Sequence, residues 1–251
     1  MHLLEINKEN YIGQADPFIF EANGKFYIYT TGSDGIYAYF ADDLFGKWNF
    51  YGRVFTYEGK GVHDFWAPSV IEIDGTYYLY CSFEFFDDEP DQGGHHQAMH
   101  VSSSKSPLGP FENAKQLLHP FSIDSHVVKN ENGLFIFYST NTFEGERPGT
   151  YIVCDRLLTP EKAEGKPVTM LTPTLDEDIY MRDRYKRAKI GTQSRVLSIL
   201  KRAIGSILCI RAIAIYSLLI ISDMQGQRRT KPTLLRLSLK NIPTKTHIIL
   251  L

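Results

Sequence analysis

Three segments of this sequence repeat one pattern, that of a β-hairpin. They are Ala15–Gly32, Trp66–Ser82 and Ile123–Thr140. Each has a short apolar run, then Asn-Gly or Asp-Gly, then an aromatic-rich alternating run. Asn-Gly and Asp-Gly supply the positive φ angles of a two-residue type I′ turn, so each segment is predicted to form a hairpin. Aligned on their turn glycines, the repeats are 51 and 58 residues apart, slightly beyond the usual period of propeller blades.

Each predicted hairpin is followed by a third alternating segment, a polar turn and a fourth strand. These continuations are Gly35–Phe55, Gln97–Leu118 and Gly149–Leu171. Trp48 and Phe111 stand at matching places, where the chain is predicted to enter the fourth strand. Four antiparallel strands per repeat, arranged radially, form the blade of a β-propeller. The sequence therefore predicts an all-β fold with about three blades before Lys186, fewer than the roughly 4–8 blades of a closed propeller.

The candidate site lies where the predicted inner strands begin, at the residues called here their heads. The inner strand of each blade lines the central channel, so equivalent residues of successive blades should meet at one mouth. Asp16 and Asp124 stand at this point in the first and third repeats, and Trp66 opens the second. Two carboxyl groups at one mouth suit general acid–base chemistry, and an aromatic ring beside them suits stacking on a sugar. Taken singly, the acids are ordinary turn or strand-start residues and the Trp an ordinary core residue.

Four segments together resemble glycoside hydrolase family 43, whose members are five-bladed propellers that cleave xylosides and arabinosides. The segments are ADPFIFEANGKFYIYTTG, FWAPSVIEIDGTYYLYCS, SSSKSPLGPF and SIDSHVVKNENGLFIFYS, within residues 11 to about 186. The resemblance implies an inverting mechanism in which Asp16 is the general base, while Asp124 orients the general acid and tunes its pKa. Phe65 and Trp66 are predicted to bind the sugar.

The family's general acid is a fourth-blade glutamate, and this sequence has no Glu after Glu177. We therefore expect a hydrolase of xylosyl or arabinofuranosyl linkages in short oligosaccharides that is impaired by this loss. The alternative is a non-catalytic carbohydrate-binding propeller or an inactive fragment. A retaining, fructan-acting propeller is disfavoured because Asp16 is not part of an N-D-P-N-G start. No cofactor is predicted, although a channel calcium ion is left open, and the sequence does not indicate an oligomeric state.

The composition changes abruptly near Lys186. Residues 1–186 contain 15 Lys or Arg and 28 Asp or Glu, whereas residues 187–251 contain 12 and one. Only one of the 33 aromatic residues, Tyr216, lies beyond the break. We predict a partial propeller domain at 1–186 and an aberrant basic tail at 187–251, irregular or helical, produced by a frameshift.

A shift of one base explains three parts of the tail. Codons for H-T-I-E-G-A-F, D-W-F-Y-L-M-Y-S-G-N-C-Y and G-Y-A-R-S can be written so that they yield Thr192–Ser198, Ile204–Ile215 and Asp223–Gln227. These hidden segments have the pattern of a fourth blade. The lost general acid would then straddle Ser194 and Arg195.

Other partners and locations are disfavoured. The apolar stretch Ala203–Ser222 has Arg211 at its middle, which would cost about 2.5–3.5 kcal/mol in a membrane span. The basic residues of the tail lack a stacking platform for nucleic acid. Three widely spaced cysteines argue against a disulfide framework, and the amino terminus lacks a signal-peptide pattern, so a cytoplasmic location is expected.

No metal site is predicted. His95, His96 and His100 lie on a predicted loop entering a strand, and no Glu follows His96 as in a zincin helix. The acidic run at 87–91 lacks the spacing of a calcium loop and is expected to be solvated. Glu84, which follows the second hairpin near the expected channel end, has no assigned role.

Overall fold

The computed structural model describes residues 15–59, 61–85, 96–174, 176–185 and 188–193. Their strands form three sheets, one for each predicted repeat, and the third sheet also contains strands beyond its repeat. The first sheet contains β1 (Phe18–Ala22), β2 (Lys25–Thr30), β3 (Ile36–Ala41) and β4 (Asn49–Phe55). The second contains β5 (Val62–Ile73), β6 (Thr76–Phe85), β7 (Ala98–Ser104) and β8 (Glu112–Gln116). The third begins with β9 (Ile123–Asn130), β10 (Gly133–Thr142) and β11 (Gly149–Thr159). The predicted all-β fold with three blade-like sheets is confirmed.

The first two hairpin turns have the predicted backbone. Asn23 and Gly24 have φ angles of 53° and 72°, and Asp74 and Gly75 have 51° and 74°. Both central residues of each turn thus have positive φ, as a type I′ turn requires.

The third turn differs from the prediction. It falls on Glu131 and Asn132, which do not have positive φ, and the positive angle of 131° occurs one residue later at Gly133. The Asn132 amide donates a hydrogen bond to Asn130 Oδ1 at 2.8 Å, so a side chain closes this turn. Aligned on turns, the repeats are 51 and 57 residues apart.

The core lies between consecutive sheets, and β6 contributes to it on both sides. Leu79 and Phe83 pack toward Phe55 of the first sheet. Tyr80, between them in sequence, packs with Met99 and with the third sheet. Side chains alternate along a strand, so a central strand covered on both faces joins its two neighbours. This explains why apolar and aromatic residues occupy both faces of β6.

The residues expected to mark the entry into the fourth strands are core residues. Trp48 directly precedes β4 and is 7% exposed, and Phe111 directly precedes β8 and is 3% exposed. The Phe111 ring meets the Tyr29 ring edge to face, with 6.4 Å between centroids. This prediction is also confirmed.

The third sheet continues beyond its first three strands. Four short strands follow: β12 (Lys162–Ala163), β13 (Val168–Leu171), β14 (Ile179–Tyr185) and β15 (Ala188–Gln193). β12 and β13 pair antiparallel to β11, whereas β15 pairs with β11 in parallel at Gly149 and Thr150. The expectation of an irregular or helical chain after Lys186 is thus wrong for β15.

Apart from Asn130–Asn132, the described residues belong to one compact unit. Residues 194–251 lie outside the described part of the chain, so the predicted frameshifted tail, with Ser194 and Arg195, stays a prediction. Among the described residues, no helix is long and apolar enough to span a bilayer.

Candidate active site

The three inner strands share a backbone feature at their heads. Asp16, Ala67 and Asp124 each lie seven residues before the first residue of their hairpin turn. Their φ angles are 48°, 43° and 55°, in the left-handed region that residues other than Gly rarely adopt. The structure therefore places Asp16 and Asp124 at equivalent positions. The equivalent residue of the second blade is Ala67, which directly follows Trp66.

A hydroxyl group joins the head of the first blade to that of the second. Thr31 Oγ1 donates to Asp16 Oδ2 at 3.2 Å and accepts a hydrogen bond from the Ala67 amide at 3.0 Å. Next to it, Gly32 and Phe65 exchange two backbone hydrogen bonds of 3.2 and 3.1 Å. The Asp16 carboxylate is thus connected through one side chain to the backbone of β5.

The third inner strand meets both of the others. The Phe18 and His126 rings lie 5.9 Å apart between centroids, tilted by 49°. Each follows its aspartate by two residues, so the contact joins equivalent positions of the first and third blades. Ser69 Oγ of β5 lies 3.0 Å from Ser125 Oγ of β9, and both residues are buried. Burial lowers the pKa of His126 to about 4, so this imidazole is neutral at neutral pH.

The predicted site residues differ in exposure. Asp16 is exposed, whereas Asp124 and Trp66 are intermediate. Phe65 is only 1% exposed, and its ring packs against Phe55 and Phe83 with centroid separations of 5.8 and 5.0 Å. The predicted sugar contact of Phe65 is therefore corrected to a packing role in the core.

Of the three histidines considered as metal ligands, His100 is a core residue. Its ring stacks on Phe83 at 3.7 Å, and its Nδ1 lies 2.8 Å from the Ala98 carbonyl oxygen. His95 and the acidic run at 87–91 lie outside the described residues. Within the described chain one group could hold a metal ion: His63, Asp64 and Glu84.

Several of these contacts could not be found from the sequence. Thr31 is the small polar residue that ends the first hairpin, and nothing in the pattern shows that its hydroxyl bridges two blades. His63 and Asp64 become neighbours of Glu84 only through strand pairing.

The profile of the family described as Glycosyl hydrolases family 43 matches residues 12–183. Because this is more than half of the chain, the protein belongs to that family. Over 73 residues it is 38% identical to a probable arabinan endo-1,5-alpha-L-arabinosidase C of Aspergillus clavatus, covering 27% of this chain and 23% of the relative. Over 96 residues it is 35% identical to a probable arabinan endo-1,5-alpha-L-arabinosidase B of Aspergillus oryzae, covering 37% and 25%. The aligned parts thus span about a quarter of these curated relatives.

Solved structures agree with the family. A thermostable family-43 glycoside hydrolase superposes with a TM-score of 0.57 and 27% identity, covering 67% of this chain and 56% of that one. An alpha-L-arabinofuranosidase from Lactobacillus brevis superposes with a TM-score of 0.56 and 21% identity, covering 69% and 57%, and supports the fold alone. The three sheets are therefore part of a family-43 propeller.

Proposed function

We propose that this chain carries part of the site of an inverting glycoside hydrolase for arabinofuranosyl or xylosyl linkages in short oligosaccharides, and that it is impaired by the lack of the general-acid Glu. Asp16 is the general base, and Asp124 orients the general acid and tunes its pKa. The observation that carries the proposal is the equivalence of the two aspartates, which head the first and third inner strands with the same left-handed backbone. Family membership and the arabinosidase names of the relatives support the substrate class.

The surroundings of the two acids suit these roles. The exposed carboxylate of Asp16 receives one hydrogen bond from Thr31 and keeps acceptor capacity for a water molecule. In an inverting hydrolase this water lies between base and acid, whose carboxyl groups are about 6.5–9.5 Å apart. The half-buried carboxylate of Asp124 would raise the pKa of a neighbouring acid, because a like charge disfavours ionisation.

The lack of any Glu after Glu177 predicts a specific kinetic defect. A general acid protonates the departing oxygen, and this assistance is worth about 10²–10⁴-fold in rate. A dinitrophenyl glycoside needs little protonation because its phenolate leaves readily. We expect slow hydrolysis of dinitrophenyl arabinofuranoside or xyloside and none of the matching disaccharides.

The test compares dinitrophenyl and disaccharide substrates of both pentoses. Asp16→Asn should lower kcat/KM for the aryl glycoside by about 100-fold, since a base contributes about 10²–10⁴-fold. Asp74→Asn, at the exposed tip of the second hairpin, is the matched control and should leave kcat/KM unchanged. Equal rates for the Asp16 variant and the control would refute the assignment of the base.

The second candidate is a carbohydrate-binding propeller without catalysis. The missing Glu and the half-buried Trp66, whose ring could stack on a sugar, favour it. Calorimetry with arabino- and xylo-oligosaccharides separates the two: binding without turnover of any aryl glycoside supports this candidate.

We also propose that the tail arises from a shifted reading frame. Sequencing the DNA across the codons for Tyr185 to Ser198 tests this directly. If the neighbouring frame does not encode a fourth blade with a Glu-Gly pair, the frameshift explanation is wrong.

A further inference from the structure

One cluster of ionisable side chains does not include either aspartate of the proposed site. His63 Nδ1 is 3.0 Å from Asp64 Oδ2, and His63 Nε2 is 3.9 Å from Glu84 Oε1. One nitrogen or oxygen from each of the three residues can be chosen so that all lie within 4.8 Å of one another. All three residues are intermediate in exposure, so an ion from solvent could reach them.

A β-bulge brings this cluster together. His63 pairs with Glu84, and Trp66 pairs with Ser82, so two residues of β5 face a single residue of β6. In a regular strand, residues 63 and 64 would point to opposite faces. The bulge and the left-handed φ of 56° at Asp64 place both side chains beside Glu84 instead.

Backbone contacts hold two members of the cluster in place. The Asp64 amide donates to the Ser33 carbonyl oxygen at 3.2 Å, which fixes the bulge against the first blade. Glu84 Oε2 accepts a hydrogen bond from the His96 amide at 2.8 Å, while Oε1 lies on the His63 side. The Asp64 backbone and the Glu84 carboxylate are therefore held by contacts outside the cluster.

We infer that His63, Asp64 and Glu84 form a binding site for a divalent first-row transition-metal ion such as Zn²⁺. One imidazole nitrogen and two carboxylate oxygens are ligands that zinc takes at about 2.0–2.2 Å, which puts tetrahedral ligands roughly 3.4 Å apart. With one ligand atom taken from each residue, the three donors lie within 4.8 Å of one another, close enough for small side-chain adjustments to reach this spacing. The two carboxylates balance the charge of the ion.

The donor set also indicates which ions are disfavoured. Calcium and magnesium take oxygen ligands almost exclusively, and an imidazole nitrogen in the set favours a transition metal. The site is thus chemically different from the channel calcium that the sequence left open. It departs from the prediction that no residue holds a metal, and it does not depend on the proposed sugar hydrolysis.

Calorimetric titration of the full chain with ZnCl₂, after chelator treatment, tests the inference. His63→Ala and Glu84→Gln should weaken zinc binding by at least about tenfold, because even outer-shell changes cost about 10–100-fold. The matched controls are His119→Ala and Glu146→Gln, which alter exposed residues of the same types. They should bind zinc like the wild type, and CaCl₂ should bind far more weakly. Zinc affinity that is unchanged in His63→Ala would overturn the site.

A measurement on the wild-type chain guards against a variant that fails to fold. The His63 side chain is 25% exposed, so diethyl pyrocarbonate can reach it, and mass spectrometry can follow its modification. Zinc should slow modification of His63 by at least about tenfold and leave exposed His119 unaffected, because a ligated nitrogen is not nucleophilic. Equal His63 labelling with and without zinc would show that the cluster is an ion-paired triad only.

Discussion

The contact between β5 and β9 predicts a measurable coupling free energy between the second and third blades. Ser69 and Ser125 are 1% and 7% exposed, and their hydroxyl oxygens lie 3.0 Å apart. Replacing either serine by alanine leaves a buried hydroxyl without its partner, which costs about 1–3 kcal/mol. Replacing both removes the two polar groups together, so the double variant should lose less than the sum of the single losses.

A double-mutant cycle measured by urea unfolding isolates this difference. We expect a coupling free energy of about 1–2 kcal/mol between Ser69→Ala and Ser125→Ala, within the range seen for residues in contact. Ser102→Ala combined with Ser125→Ala is the control, because the Ser102 hydroxyl is buried and has no hydrogen-bond partner among the described residues. This control pair should be additive within about 0.3–0.5 kcal/mol.

The cycle tests the argument for a shared channel mouth. If Ser69 and Ser125 show no coupling while both single variants remain folded, the heads of β5 and β9 do not meet as described. The convergence of the inner strands, on which the roles of Asp16 and Asp124 depend, would then be refuted.

Three further predictions concern single residues. Thr31→Val removes the acceptor for the buried Ala67 amide and should lower the free energy of unfolding by about 1–2 kcal/mol more than Thr31→Ser, which keeps the hydroxyl; equal urea midpoints would contradict this. Burial lowers the pKa of His100 to about 4 from 6.5, so the unfolded chain takes up its proton first as pH falls. As the pH falls between these two values, His100 should lower the free energy of unfolding by up to about 1.4 kcal/mol per pH unit. His100→Gln should therefore make the urea midpoint less dependent on pH, and an unchanged pH dependence would contradict the assignment. Burial raises the pKa of the Cys154 thiol to about 12, so iodoacetamide at about pH 8 should label it only after unfolding in urea, as peptide mass spectrometry would show.

The features that the sequence predicts correctly depend on short-range patterns. Asn-Gly and Asp-Gly readily adopt the left-handed backbone angles that a type I′ turn requires, which places the first two turns and the strands on either side of them. Asp16 and Asp124 are equivalent by residue count when the repeats are aligned on the turns of the structure, whereas alignment on the turn glycines differs by one residue. The third turn departs from this because Asn130 closes it with its side chain, and no dipeptide motif shows that choice.

The bulge between His63 and Trp66 limits what the sequence can predict at the site. Phe65 was expected to bind the sugar, whereas it lies in the core, and simple alternation along β5 cannot assign faces across the bulge. The same bulge brings Asp64 beside Glu84, a residue twenty positions away in the chain. Such pairings depend on the register between two strands, which the sequence does not display locally.

Ala67 adopts the same left-handed conformation as the two aspartates, although a left-handed backbone costs an ordinary L-residue about 1–2 kcal/mol. The bend therefore belongs to the path of the chain around the channel and does not need a carboxylate to hold it. Each blade holds the residue at this position in the same conformation, whether it is Asp or Ala. A single codon change can therefore exchange one residue for the other. A fold of this kind can redistribute acidic groups among its copies during evolution without rebuilding any strand.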